Sequence, residues 1–284
     1  MRIIVTGSGG FIGGHLARAL RERGHDVSGM DNKFGTSTTS MNTMRYFVEK
    51  FRPDVIAHLG ANCSTAVSLR TPVVDFEYNV QGTFNVCEAS REAGGIPILF
   101  TSTCKVYPGS DGKIAPLGAS KRVAEEYISL YQNTYGIPAV INRPSTIYGP
   151  KQDGSSDAGW FTWFINAANT NQLIKLAGDG TQSRDVLYVA DFVDLLVDQV
   201  ENFDLYQGNI YDVGGGAGNE VSLNELLSAL DYDNIEHVPR LPADLDRVVT
   251  DNSRITNVHG WEPTTTWQEG MQTTREWLWS TSGQ

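Results

Sequence analysis

The stretch Thr6-Gly7-Ser8-Gly9-Gly10-Phe11-Ile12-Gly13 sets the narrowest limits on what this chain can fold into. It lies directly behind the apolar run Ile3-Ile4-Val5 and directly before Phe11, Ile12, Leu16, Ala19 and Leu20, whose spacing predicts a helix. Strand, glycine turn and helix in that order make a cradle for a dinucleotide. Gly7 permits the tight turn, Gly10 has no Cβ to keep the backbone from a pyrophosphate, and Gly13 lets the helix lie close on the strand. Asp31 follows the apolar segment 27–30 and stands about 18 residues after Gly13, near the spacing at which an acid meets a ribose 2′-hydroxyl. A carboxylate there repels a 2′-phosphate, so the cofactor expected is NAD rather than NADP.

At 284 residues the chain suits one large domain or two smaller ones. A net charge of −11 argues against nucleic acid and against an anionic membrane, because either would need a basic face. Cys63, Cys87 and Cys104 are an odd number without metal-ligand spacing, which suits a reducing compartment and gives no metal site. The chain enters a strand at once and holds no apolar run near membrane-spanning length. A cytoplasmic protein without signal peptide or membrane helix is expected.

Along the chain, strand and helix patterns alternate, as in a doubly wound α/β fold. Residues 32–42 read as a polar loop, 44–51 as a helix, and 54–59 as a strand ending in Gly60-Ala61-Asn62, where ligands of such sheets collect. About 22 residues between Asp31 and Pro53 hold little more than a loop and a helix, where such folds usually place another strand. A helix is expected over 75–93, a buried strand over 96–101, a turn at Pro108-Gly109-Ser110, and a long helix from Gly118 through Lys121 and Tyr131. Strand 140–142 closes at Arg143-Pro144. Beyond Tyr148-Gly149-Pro150 come a polar stretch, 151–159, an aromatic helix, 160–168, and the strand Arg184-Asp185-Val186-Leu187-Tyr188-Val189. A helix over 191–200 and a strand over 209–213 return to the main sheet, and helices are expected over 221–230 and 270–279. The fold class is therefore a Rossmann-type doubly wound parallel sheet, lacking one edge strand, with a small C-terminal substrate domain. Residues 1–146 with about 181–213 form the dinucleotide domain in this reading, and about 147–180 with 214–284 the substrate domain.

The stretches TGSGGFIGGHL, DVIAHLGA, NVQGTFNVCEAS, FTSTCKVYP, GASKRVAEEY, NRPSTIYGP, SRDVLYVADFV, DRVVTDNSRI and GWEP together resemble the extended short-chain dehydrogenase/reductase family, the NAD-dependent nucleotide-sugar epimerases and dehydratases. Within it, STCKVY, YGPKQDGSSDAGWFTWF and DVGGGAGNEVSLNELL are most similar to the CDP-paratose 2-epimerase (CDP-tyvelose epimerase) branch. The resemblance implies a redox epimerisation of a nucleotide sugar: transient oxidation to a keto sugar, then hydride return to the other face. It implies cofactor contacts from Gly7, Gly10, Phe11, Ile12, Gly13, Asp31, Asn32, Leu59, Gly60, Ala61, Lys121 and Pro144. Thr103 and Lys121 match the hydroxyl and lysine of the catalytic set. Asn79, Thr103, Thr146, Arg184 and Arg247 match substrate-side positions, the two arginines gripping the diphosphate. It also implies a homodimer through a four-helix bundle of helices 79–93 and 118–135.

The chain departs from the family in three places. Leu117 stands four residues before Lys121, where the family has its catalytic tyrosine, and leucine carries no proton. Tyr46, spaced correctly before Lys50, reads as coincidence, and Tyr107, Tyr127 and Tyr148 read as packing residues. Cys104 and Lys105 replace the Asp-Glu pair of the dehydratases, which argues against dehydration. The short 31–53 segment lacks the strand whose acid meets the adenine, so one side of that pocket is expected to be open. An asparagine at a helix start, as expected for Asn79, also suits a cap. The 152–160 loop is expected to face the sugar or base, Trp160 and Trp163 suit either a core or a stacked base, and His58 is expected to pack at its strand end. Three readings follow: an epimerase, a catalytically inactive relative that binds NAD or nucleotide sugar, and a redox enzyme using water, Thr103 or another tyrosine as base.

Overall fold

In a computed structural model, which describes residues 1–109, 112–154, 159–239 and 246–282, the first apolar run is a strand, β1 (Arg2–Thr6), buried from Ile3 onwards. The chain turns at Gly7 with φ +72°, and a Cβ there would lie 2.8 Å from the Gly60 nitrogen. It then enters α1 (Phe11–Glu22), which buries Gly13, Leu16, Ala17 and Leu20 on one face. A Cβ on Gly13 would stand 2.1 Å from the Gly7 carbonyl oxygen, so helix and turn meet backbone to backbone.

The chain continues through β2 (Asp26–Met30), α2 (Met41–Phe51), β3 (Val55–His58), α3 (Thr65–Arg70), α4 (Pro72–Asp75), α5 (Gly82–Glu92), β4 (Ile98–Thr101), α6 (Pro116–Tyr135) and β5 (Ala139–Pro144). Beyond them come β6 (Thr146–Tyr148), α7 (Trp160–Asn169), β7 (Ile174–Ala177), β8 (Ser183–Tyr188), α8 (Val189–Glu201), α9 (Phe203–Tyr206) and β9 (Asn209–Val213). The last elements are β10 (Glu220–Ser222), α10 (Leu223–Ala229), β11 (Ile235–Val238), β12 (Arg247–Val248), α11 (Ser253–His259) and α12 (Trp267–Ser282).

Six strands form the main sheet in the order β2-β1-β3-β4-β5-β9. The pairs from β2 to β5 are parallel, with Thr6 opposite both Met30 and His58, and Phe100 opposite His58 and Ile141. Such strands are covered on both faces, which is why they read as unbroken apolar runs. Among the described residues no strand lies outside β2, as the short 31–53 segment predicts. A fastened loop takes that place. Asp31 caps the 3-10 turn Asn32–Phe34, Ser40 caps α2, and Asn85 Nδ2 donates to the Thr38 carbonyl at 2.8 Å. Met44 and Val48 of α2 then bury beside Met30, Val86 and Ile56.

The chain divides into two compact units, residues 1–106, 114–143 and 193–211 in one, and 107–113, 144–192 and 212–284 in the other. The second is built on β8, which pairs antiparallel with β10 and parallel with β12 and β6. Its core joins Tyr148, Phe161, Phe164 and Ile165 to Leu226, Met271 and Leu278.

Two expected helices differ. The 75–93 segment is three pieces, α4, a π turn over Phe76–Gln81, and α5, so Asn79 lies inside a helical run and is not a starting cap. The 221–230 segment begins as strand β10, because Ser222 and Glu225 form a capping box that starts the helix only at Leu223. Ser110 of the expected turn and residues 155–158 of the 152–160 loop lie outside the described residues.

Gly118, in the first turn of α6, has the Lys105 carbonyl oxygen 2.0 Å from where a Cβ would sit. Gly118→Ala must push α6 off the 103–106 turn, and overpacking of this kind costs about 1–3 kcal/mol. A urea midpoint unchanged from wild type would contradict the close approach.

Candidate active site and cofactor cradle

The glycine turn leaves the start of α1 bare. Its N-cap is Gly10, no side chain caps it, and no acid lies in its first turn. A Cβ on Gly10 would meet the Gly7 carbonyl oxygen at 3.1 Å, a tight contact with backbone. An uncapped helix start behind a glycine-rich turn is what a pyrophosphate needs. Asp31 stands beside it, accepting from Gly9 N at 3.1 Å and from Lys33 N at 2.9 Å. The residues present fit a dinucleotide with an unphosphorylated ribose. Phe11 and Ile12 open α1, Asn32 is exposed beyond Asp31, and Pro144 ends β5. Leu59 and Gly60 donate backbone N–H groups to Thr6 Oγ1 at 3.1 and 2.9 Å, which fixes the chain leading to Ala61.

Lys121 projects from α6 to the carboxyl end of β4. Its Nζ donates to the Thr101 carbonyl at 2.9 Å and lies 4.7 Å from the centre of the Phe100 ring. Burial pushes its pKa down to about 8, against the smaller opposing effects of Cys63 and Glu125. Thr103 opens the turn two residues past that carbonyl, and its Oγ1 accepts from Lys105 N at 3.3 Å. Lys105 in turn donates to Thr65 Oγ1 at 2.7 Å, joining the loops that leave β3 and β4.

Leu117 is buried, one turn ahead of Lys121, and its carbonyl accepts from Ser120 Oγ at 2.9 Å. Four other tyrosines have surroundings of their own. Tyr148 is buried, donates to the Trp267 carbonyl, and has its pKa raised by burial, which disfavours a phenolate. The Tyr107 hydroxyl donates to both oxygens of Asp212 at 2.9 and 3.0 Å. Tyr127 packs edge-on against Phe84, and Tyr46 is exposed on α2.

Asn79 is a brace. Its Oδ1 accepts from Asn62 N at 2.8 Å and its Nδ2 donates to Ser120 Oγ at 2.9 Å, so it ties the loop after β3 to α6 beside Lys121. Asn62 also donates to Asp75 at 2.6 Å, and Ser68 donates to the other oxygen of that buried carboxylate. Pattern reading missed Ser120, whose partner Asn79 is 41 residues away, and Asp75 and Ser68, which meet only across the turn between α3 and α4. It also missed Glu125, which is buried between Arg143, at 2.6 Å, and Ser102. The i,i+4 spacing of Lys121 and Glu125 was the available signal.

In the second unit, Arg247 makes a bidentate pair with Glu220, Nε to Oε1 at 2.7 Å and Nη2 to Oε2 at 2.8 Å. Arg184 Nη1 donates to the Ser183 carbonyl at 2.7 Å. Trp160 Nε1 donates to Thr146 Oγ1 at 3.4 Å, while its ring packs edge-on against Phe161 and Phe164. Trp163 packs edge-on against Phe164.

Residues 3–214 match the NAD dependent epimerase/dehydratase family. The chain belongs to that family. It is 29% identical to the CDP-paratose 2-epimerase of Salmonella typhi, over 98% of this chain and 99% of that protein. It is 32% identical to the UDP-glucose 4-epimerase of Mycolicibacterium smegmatis, over 98% of each. The fold is similar to that of the Thermus thermophilus UDP-glucose 4-epimerase solved in complex with NAD, with a TM-score of 0.87, 30% identity, and 98% and 99% of the two chains covered. It is similar also to the Thermotoga maritima UDP-glucose 4-epimerase solved with UDP-glucose, with a TM-score of 0.89, 26% identity, and 99% and 100% covered.

In this member of the epimerase/dehydratase family the buried lysine makes a pH test of its own. Between about pH 8 and the ordinary lysine value of 10.5 the unfolded chain holds a proton that the folded chain has released, so the Lys121 contribution to stability rises with pH across that window. Wild type should therefore gain stability relative to Lys121→Met from pH 8 to pH 10 in urea unfolding. A constant difference would place the ammonium in a more hydrated setting.

Proposed function

We propose that this chain is an enzyme, an NAD-dependent nucleotide-sugar epimerase of the redox type. Lys121 carries the reading: it is buried at the carboxyl end of β4, two residues from Thr103 through the Thr101 carbonyl, in the unit that holds the bare start of α1. NAD, when bound, accepts and returns a hydride. Gly7, Gly10 and Gly13 give the pyrophosphate its approach, with Phe11 and Ile12 on the helix it meets. Asp31 and Asn32 take the adenosine ribose, and Leu59, Gly60, Ala61 and Pro144 line the way to the nicotinamide. Lys121 holds the nicotinamide ribose and places a positive charge beside the reacting oxygen, and the Thr103 hydroxyl orients that oxygen by a hydrogen bond. The first unit is the dinucleotide domain and the second the nucleotide-sugar domain, where Arg184 and Arg247 grip the diphosphate and Thr146 faces the sugar. Asn79 braces the substrate side. The finer assignment is a CDP-paratose 2-epimerase-like reaction at C2 of a CDP-deoxyhexose, supported by the full-length similarity to the Salmonella typhi enzyme.

Leu117 supports a second reading, a relative that binds NAD or nucleotide sugar in a regulatory or structural role without turnover. With an apolar, buried residue one turn before Lys121, the alcohol proton leaves through water, the Thr103 hydroxyl or another tyrosine, and turnover should be slow. The protein mixed with NAD and a panel of nucleotide sugars that includes CDP-paratose should give NADH absorbance or an epimerised sugar. Leu117→Tyr should raise that rate by about 10²–10⁴, the usual contribution of a placed acid–base group. Silence in both proteins, with NAD binding shown by calorimetry, selects the binding role.

A homodimer is part of the same proposal. On α6, Val123 and Leu130 are 44% and 50% exposed and lie two turns apart on one helix face. Burying them against a second copy makes the four-helix bundle. Sedimentation should give a dimer for wild type and a monomer for Val123→Glu/Leu130→Glu. Three cysteines, Cys63, Cys87 and Cys104, an odd number without metal-ligand spacing, suit a reducing, cytoplasmic setting. Among the described residues no helix is long and apolar enough to cross a membrane.

A further inference from the structure

The Arg247 guanidinium meets its partner as it would meet a phosphate. Two nearly equal bonds, 2.7 and 2.8 Å, join one edge of the fork to both oxygens of Glu220, and Ser183 Oγ donates to the same carboxylate at 2.5 Å. The strand pairing sets up this meeting. Arg247 on β12 stands opposite Ser183 of β8, and β10 on the other side of β8 places Glu220 opposite Asp185, so the pair reaches across the central strand. Asp185 is buried and accepts from Gly216 N and Thr250 Oγ1. Glu220 is thus the carboxylate on that edge of Arg247, and the pair holds its carboxyl below the usual carboxylate range.

We infer that Glu220 is a further specificity-determining residue of the nucleotide site: its carboxylate occupies the edge of Arg247 that a diphosphate takes, so a phosphate-bearing ligand must displace it while a nucleoside need not. The inference rests on the proposed diphosphate role of Arg247. A merely structural tie between β10 and β12 would keep the two groups together. The Arg247 side chain is 61% exposed, however, and exposed ion pairs are worth about 0–1 kcal/mol, so a ligand with two phosphate groups wins the exchange. An uncharged nucleoside gains nothing from it. Glu220 therefore lowers the affinity for nucleoside diphosphates and narrows their advantage over ligands without phosphate.

Calorimetric titration of the full chain with UDP, CDP, uridine and cytidine tests this. Glu220→Gln keeps the shape and the Ser183 contact and removes the charge. It should tighten the diphosphate that binds by up to about fivefold, the factor that corresponds to the upper end of what an exposed pair is worth, and leave the nucleosides unchanged. Arg247→Ala should weaken the diphosphate, and Glu220→Gln added to it should have no further effect. If Arg247→Ala leaves diphosphate binding unchanged, the diphosphate role of Arg247 fails, and the inference with it. If Arg247→Ala weakens binding while Glu220→Gln leaves it unchanged or weakens it too, the role stands and Glu220 is only a tie between strands.

Discussion

The buried hydroxyl of Thr6 holds together the ends of two strands on which the cofactor side depends. It accepts from the backbone N–H groups of Leu59 and Gly60 and stands 2.7 Å from His58 Nδ1. With both lone pairs engaged, its own proton goes to the imidazole, which leaves the other ring nitrogen, Nε2, to donate to Thr83 Oγ1 at 3.0 Å. Thr83 completes the run by donating to the Asn79 carbonyl at 2.6 Å. Burial, with the Lys121 charge nearby, pushes the His58 pKa down to about 3, so the ring stays neutral and the pattern does not change near neutral pH. Histidine here is a spacer with two polar ends. Because β1 and β3 are locked at this point, the Gly7 turn and the Gly60 turn can approach until a Cβ on Gly7 would touch Gly60.

Charge in the interior of the first unit is arranged with similar economy. Lys121 is buried on a carbonyl and an aromatic face, which satisfies one of its donors and leaves the ammonium destabilised. One turn further along α6, Glu125 is also buried, but the guanidinium of Arg143 and the hydroxyl of Ser102 complete its hydrogen bonds. Breaking such a pair leaves an uncompensated charge, which is why both partners are needed once either is present. A different arrangement appears in the second unit, where Arg247 is paired with Glu220 while its own side chain stays 61% exposed.

The similarity to epimerases runs the whole length of the chain, and the two main departures fall at different levels. The missing outer strand changes the edge of the sheet yet leaves the cradle intact, because β2 still delivers Asp31 directly behind its last residue, Met30, and the loop after it is fastened to α5. Leu117 changes no backbone feature. It lies on the helix that carries Lys121, with the same Ser120 contact to its carbonyl that any side chain would allow. Architecture therefore says little about turnover, and the chemistry of one side chain says a great deal.

Periodicity and glycine placement were enough to determine the parallel sheet, its short edge, the cradle with Asp31, and the helix bearing Lys121, because each depends on residues near one another in sequence. Other features escaped local patterns. The π turn that sets Asn79 inside a helix is decided by packing against Asn62 and Ser120, one 17 and the other 41 residues away. The strand character of residues 220–222 comes from pairing with β8, which no window of the sequence contains. Arg247 was legible as a cation suited to phosphate, but its fork on Glu220 follows from two strands meeting across a third. The sequence by itself determined which chemical groups this protein owns and where its regular elements start. Only the tertiary structure decided which of those groups are buried, paired or exchangeable, because burial and pairing are properties of neighbours that the folded chain brings together.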